Sequence, residues 1–369
     1  MHFSTVATGA ALVGNSLAAY TLKDNYMDGD FFSKFNFDTF DDPTKGVSQY
    51  VDQSTAGNNG LISLENNQAT MRVDAVTPGG DKRRSIRVTS KASYQHALIV
   101  ADVQHMPSGC GTWPAFWTVG GDWPNQGEID IIEGFNKEEF NAATLHTSQG
   151  CTIKDGLGNG NGFNGKVKTW DCWNKNPDQF ENAGCGIQDP NKSSYGEAFN
   201  SNGGGVYAMK WTDSDISVWF WPRGTNPGDA LGDSPNPGGW GTASAQFTAE
   251  TCPISEKFKD HRIVINIALC GDLAGGAWGG SACQTPQAPT CADYVLGNPS
   301  AMSEAYWTFN ALKVYQDAGA PAAKASGIGA AENFPRGFEW PQPEEQNADR
   351  LARQAREDRK SNAKTATDA

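Results

Sequence analysis

Between residues 20 and 317 the apolar positions come in short runs, and clusters of Gly, Pro and Asn interrupt each run before it reaches helical length. The runs are rich in β-branched and aromatic residues, the composition of strands. The pattern predicts strands over Ala97–Val103, Trp113–Val119, Glu128–Glu133, Ala143–Thr147, Val206–Trp211, Ile216–Trp221 and His261–Leu269. A last strand is expected within Ala305–Val314. No stretch of a dozen residues keeps a 3.6-residue period. Many strands joined by irregular loops in one block point to an all-β, jelly-roll type of sandwich.

The two ends break this pattern. Residues 3–19 are small and apolar and end Asn15-Ser16-Leu17-Ala18-Ala19, as a secretory signal peptide does before cleavage. The region before it lacks Lys or Arg, and the segment is too short and too polar to span a bilayer. Cleavage is expected after Ala18 or Ala19, leaving a domain over residues 20–318. Residues 319–369 carry eight basic and eight acidic residues and no cysteine. Such a polar, charge-balanced stretch buries little apolar surface, so a disordered tail is expected. It also lacks the hydrophobic end of a lipid-anchor signal.

Composition narrows the partners. The 369 residues carry a net charge of −13, which disfavours nucleic acid and other polyanions. Nothing calls for a membrane partner, and a monomer is expected. Twelve tryptophans suit the apolar faces of sugar rings, although a core role is the commoner fate of any single one. The eight cysteines (Cys110, Cys151, Cys172, Cys185, Cys252, Cys270, Cys283, Cys291) form no CxxC pair, so disulfides in an oxidising compartment are expected. Their connectivity is open, with about 105 possible pairings. Asn191-Lys192-Ser193 is a sequon for N-glycosylation.

The chemistry lies in Gly127-Glu128-Ile129-Asp130-Ile131-Ile132-Glu133-Gly134. In a strand Glu128 and Asp130 share one face, while strict alternation turns Glu133 to the apolar side. A lone buried carboxylate there costs several kcal/mol, roughly. One extra residue near Ile131-Ile132, a β-bulge, returns Glu133 to the acidic face. Three carboxylates on one face repel one another and raise some of their pKa values, as a general acid near neutrality requires. Retaining glycosidases place two carboxyl groups about 5–5.5 Å apart, one as nucleophile and one as acid/base. The competing readings are an acidic solvent-facing strand or a divalent-cation site. Upstream, Trp113 and Trp117 in Cys110-Gly111-Thr112-Trp113-Pro114-Ala115-Phe116-Trp117 fall on one strand face, spaced as a double platform for sugar rings. Trp123 and His146 (in Thr144-Leu145-His146-Thr147) are candidates for the same cleft.

At these residues the chain resembles glycoside hydrolase family 16, in its fungal laminarinase-like endo-1,3(4)-β-glucanases. The resemblance spans residues 20–317 and implies a β-jelly roll with a concave substrate cleft. It implies Glu128 as nucleophile, Asp130 as helper acid, Glu133 as acid/base, and sugar contacts from His146, Trp113 and Trp117. Arg87 and Trp278 are further candidates for the cleft edge. The resemblance implies a secreted or wall-associated enzyme on β-1,3 or mixed β-1,3/1,4 glucan. It implies no cofactor and permits a structural calcium, for which no ligand loop stands out. The bulged motif favours laminarin-type substrates. The alternatives are a wall-glucan transglycosylase on the same site and a non-catalytic glucan-binding lectin, which has no need of both glutamates.

Overall fold

The computed structural model describes residues 20–78, 80–153 and 162–317. The expected leader (1–19) and tail (319–369) lie outside the described residues. The short strands assemble into two antiparallel sheets of eight strands each. One sheet runs Ala245–Thr248, Asp215–Pro222, Gly205–Trp211, Ala97–His105, Tyr306–Asp317, Gln68–Arg72, Ile62–Glu65. Its eighth strand, Tyr20–Asn25, also pairs with Tyr306–Asp317. The other runs Lys166–Val167, Cys185–Gln188, Ala142–His146, Glu128–Glu133, Thr112–Val119, Arg262–Leu269, Arg87–Ser90, Phe35–Phe37. The strands expected from the sequence are present with ends moved by up to three residues, as strand boundaries usually are.

Alternation sets the core. Ile129, Leu145, Phe116, Ile263, Ile265 and Ile267 of the second sheet meet Ile99, Val103, Met209, Ile216, Trp307 and Phe309 of the first in one buried cluster. Burial of such side chains stabilises by about 1.5–3 kcal/mol each. The opposite face of the second sheet carries a smaller cluster of Ala115, Trp117, Val119 and Val264, with Trp123 against it. That face bears the site.

All eight cysteines are paired: Cys110–Cys283, Cys151–Cys252, Cys172–Cys185 and Cys270–Cys291. The first two join residues 173 and 101 positions apart, where cross-linking removes most chain entropy in the loop-closure picture.

Candidate active site

The acidic strand Glu128–Glu133 lies between Thr112–Val119 and Ala142–His146. Against the tryptophan strand, Glu128 faces Val119 and Asp130 faces Trp117, but then Ile132 faces Phe116 and Glu133 faces Ala115. Ile131 is therefore the extra residue, at the bulge that the motif demands. Ile131 and Ile132 both stay in the core, and Glu133 returns to the side of Glu128 and Asp130. On the other flank the ladder stops at Asp130–Thr144. There the buried Asn141 takes over: its Nδ2 donates to Ile131 O at 2.8 Å, and its Oδ1 accepts from Glu133 N–H at 2.9 Å. The backbone groups released by the bulge are thus paired, as buried groups must be. Gly134 follows because the Tyr195 ring leaves no room for a Cβ, which would fall 2.6 Å from it.

Glu128, Asp130 and Glu133 line one cleft of about 410 Å³, within the usual range for ligand sites. Burial pushes the Glu128 carboxyl up to about 8, with the charges of Asp130 and Glu133 adding to this and His146 and Arg87 opposing it. Burial, and then Glu133, hold Asp130 well above the usual carboxylate range. Such a cluster keeps a proton near neutrality, and the titration belongs to the group rather than to one residue. Glu133 accepts a 2.9 Å hydrogen bond from Trp113 Nε1. His146 stands directly across the ladder from Glu128.

Trp113, Trp123, His146 and Arg87 also line the cleft. Trp117 lines it too, but only 8% exposed. Its Nε1 donates to Asn266 Oδ1 at 2.7 Å and the Arg87 guanidinium sits 4.9 Å from its ring centre. The flat double platform inferred from spacing is thus corrected: Trp113 is the more open ring, and Trp117 is set into the cleft floor. Arg87 supports that floor, bonded to the buried Asp38 at 3.2 Å. Trp278 is a second correction. It is 2% exposed, packs at a tilt against Tyr294, donates to Ala288 O and lies outside the cleft lining. The Cys110–Cys283 and Cys270–Cys291 bonds tie its segment down, so its ring fills the interior of that loop. Asn191 is half-buried, and its Oδ1 accepts from Ser193 N–H within the sequon.

Sequence reasoning missed Asn141, Asn266, Tyr50, Asp272 and Phe180. The last four line the cleft from distant parts of the chain. Phe180 is 61% exposed on the segment that Cys172–Cys185 closes, and an exposed aromatic on a Cys-bounded loop was the one available signal. Among the described residues, one group of three metal-capable side chains converges: Glu128, Asp130 and His146.

Residues 35–315 match the model of the XgeA-like, catalytic GH16 domain. An endo-1,3(4)-beta-glucanase of Arthroderma benhamiae is 44% identical over 321 residues, covering 85% of this chain and 69% of the relative. Laminarinase 16A of Phanerochaete chrysosporium, solved with beta-glucans in donor and acceptor sites, is 41% identical with a TM-score of 0.75. That likeness covers 81% of this chain and all of the laminarinase chain. An elongating family 16 beta-1,3-glucosyltransferase is 38% identical with a TM-score of 0.74, covering 80% and 100% of the two chains. With its sandwich, its bulged acidic strand and these matches, the chain belongs to glycoside hydrolase family 16, in the XgeA-like group.

Proposed function

We propose that the protein is an endo-β-glucanase that hydrolyses β-1,3 and mixed β-1,3/1,4 glucans with retention of configuration. The observation that carries this reading is the bulge at Ile131, which brings Glu133 to the cleft face of Glu128 and Asp130. Glu128 attacks the anomeric carbon while Glu133, as its acid, protonates the leaving oxygen. Glu133 then removes a proton from the water that hydrolyses the glycosyl–enzyme ester. Asp130 shares the cluster's proton with Glu128, which hydrogen-bonds the nucleophile in place and limits the charge that the buried cluster must carry. The half-buried Trp113 ring offers an apolar face to a glucose ring while its N–H orients Glu133. Four disulfides support an oxidising, extracellular setting.

Incubation with laminarin, lichenan and carboxymethylcellulose tests the reading. Endo-cleavage products are expected from the first two. Release from carboxymethylcellulose alone contradicts it. The likeness to the glucosyltransferase favours a second activity on the same ester, transfer to a second sugar in place of water. Products longer than a supplied β-1,3 oligosaccharide would reveal it.

A further inference from the structure

We propose that Glu128, Asp130 and His146 form a binding site for one divalent transition ion of the zinc class, and that an ion seated there shuts down the cleft. His146 Nε2 lies 3.3 Å from Asp130 Oδ2 and 3.9 Å from Glu128 Oε1. All three donor atoms lie within 4.8 Å of one another. Zinc holds nitrogen and oxygen ligands at about 2.0–2.2 Å in a tetrahedron, which spaces neighbouring ligand atoms about 3.3 Å apart. The His146–Asp130 spacing already fits. The Glu128 carboxylate, the most exposed of the three side chains, has only to swing slightly inward.

A second observation points to a ligand independently of the clustering. Asp130 is 2% exposed, and its enclosed Oδ2 makes no hydrogen bond. It is the same oxygen that faces the His146 ring nitrogen. Nδ1 of His146 likewise has no hydrogen-bond partner, so it can carry the ring's proton when Nε2 meets an ion. The ring is therefore able to turn a lone pair toward the space shared with Asp130. A divalent charge there offsets the repulsion between buried carboxylates, beyond what His146 and Arg87 supply. The donor set also chooses the ion. One imidazole with two carboxylates suits zinc or copper, whereas calcium takes six or more oxygens, in round terms. The fourth position faces the cleft.

Binding rests on this geometry alone. Inhibition rests on the hydrolase reading above, because Glu128 held as a ligand cannot attack carbon. Calorimetric titration of Zn²⁺ into the full chain tests the site, beside a laminarin assay run with and without the ion. The expected result is one ion per chain, displaced by a β-1,3-glucan oligosaccharide. Affinity should fall more than about tenfold in both His146→Gln and Asp130→Asn, with near-ultraviolet circular dichroism reporting that each is folded. Zinc should inhibit competitively, and a chelator should reverse it. Equal affinity in wild type and His146→Gln, or simultaneous binding of zinc and oligosaccharide, overturns the site. An enzyme that hydrolyses laminarin yet binds no zinc defeats this inference alone. A protein that binds zinc in the cleft and never cleaves glucan defeats the functional reading alone.

Discussion

The backbone N–H of Glu133 donates to the side chain of Asn141, eight residues further along the chain, at 2.9 Å. With the return bond from Asn141 Nδ2 to Ile131 O, this amide replaces the ladder that the bulge interrupts. Replacing it by an apolar residue of similar size leaves a buried donor and a buried acceptor unpaired, at about 1–3 kcal/mol each. Asn141→Leu should therefore lower the melting temperature and reduce kcat on laminarin more than tenfold, roughly. Thermal melts and steady-state kinetics check this. An unchanged kcat would mean that the bulge holds its shape without the amide.

Trp113 joins two roles that a substitution can separate. Trp113→Phe keeps an apolar ring but removes the hydrogen bond to Glu133. A bond to a charged acceptor contributes about 1.5–3 kcal/mol, so kcat/KM should fall by about ten- to a hundredfold, mainly through kcat. Trp113→Ala should raise KM as well. If the Phe variant matches wild type, the indole N–H has no part in holding Glu133.

The carboxylate cluster predicts a pH effect with a definite sign. After burial, the charge of Asp130 is the largest influence that raises Glu128. Asp130→Asn removes that charge, so Glu128 ionises at lower pH and the acidic limb of the kcat/KM profile should move down. An unmoved limb, or one shifted upward, contradicts the electrostatic account. Stability follows the same group. In the folded state burial raises Glu128 to about 8 and the carboxylate cluster keeps a proton, while an unfolded Glu loses it at about 4.3. The native state then binds more protons across this window, and stability falls as pH rises through it. Glu128→Gln should melt higher than wild type at pH 7, roughly, with the difference vanishing near pH 4.

Trp278 offers a control on the cleft assignment. Its ring is enclosed beside Tyr294 and bonded to Ala288 O. Trp278→Phe leaves a small void and an unpaired carbonyl, which costs about 1–3 kcal/mol. The melting temperature should drop while KM for laminarin stays the same. A raised KM with an unchanged melt would return Trp278 to the cleft.

The acidic motif was legible because its own chemistry restricts it. Glu133 on a strict alternation would be a buried, unpaired carboxylate, so the sequence itself calls for the bulge that Ile131 makes. Strand-like runs were legible because β-branched alternation is a local signal. What remained hidden depends on distant partners. Asn266 lies 149 residues from Trp117, whose Nε1 it accepts, and no periodicity reports such a pair. Trp117 read as an open platform because spacing shows which face a residue takes, not that Arg87 from another strand covers the ring. Trp278 sits among glycines that resemble a cleft-edge loop, but disulfides from Cys110 and Cys270 fold that loop inward. The pairing of eight cysteines is a tertiary fact.

Under the proposed mechanism Glu128 forms a covalent bond to the sugar. A 2-deoxy-2-fluoro β-1,3-glucosyl donor with a dinitrophenolate leaving group slows both steps but needs no acid catalyst for the first, so the glycosyl–enzyme accumulates. Peptide mass spectrometry of the trapped protein then locates the ester. One sugar per chain is expected, attached to the peptide that contains Glu128-Ile129-Asp130, with fragmentation placing it on Glu128. A label on Glu133, or inactivation with no covalent sugar at all, would contradict it.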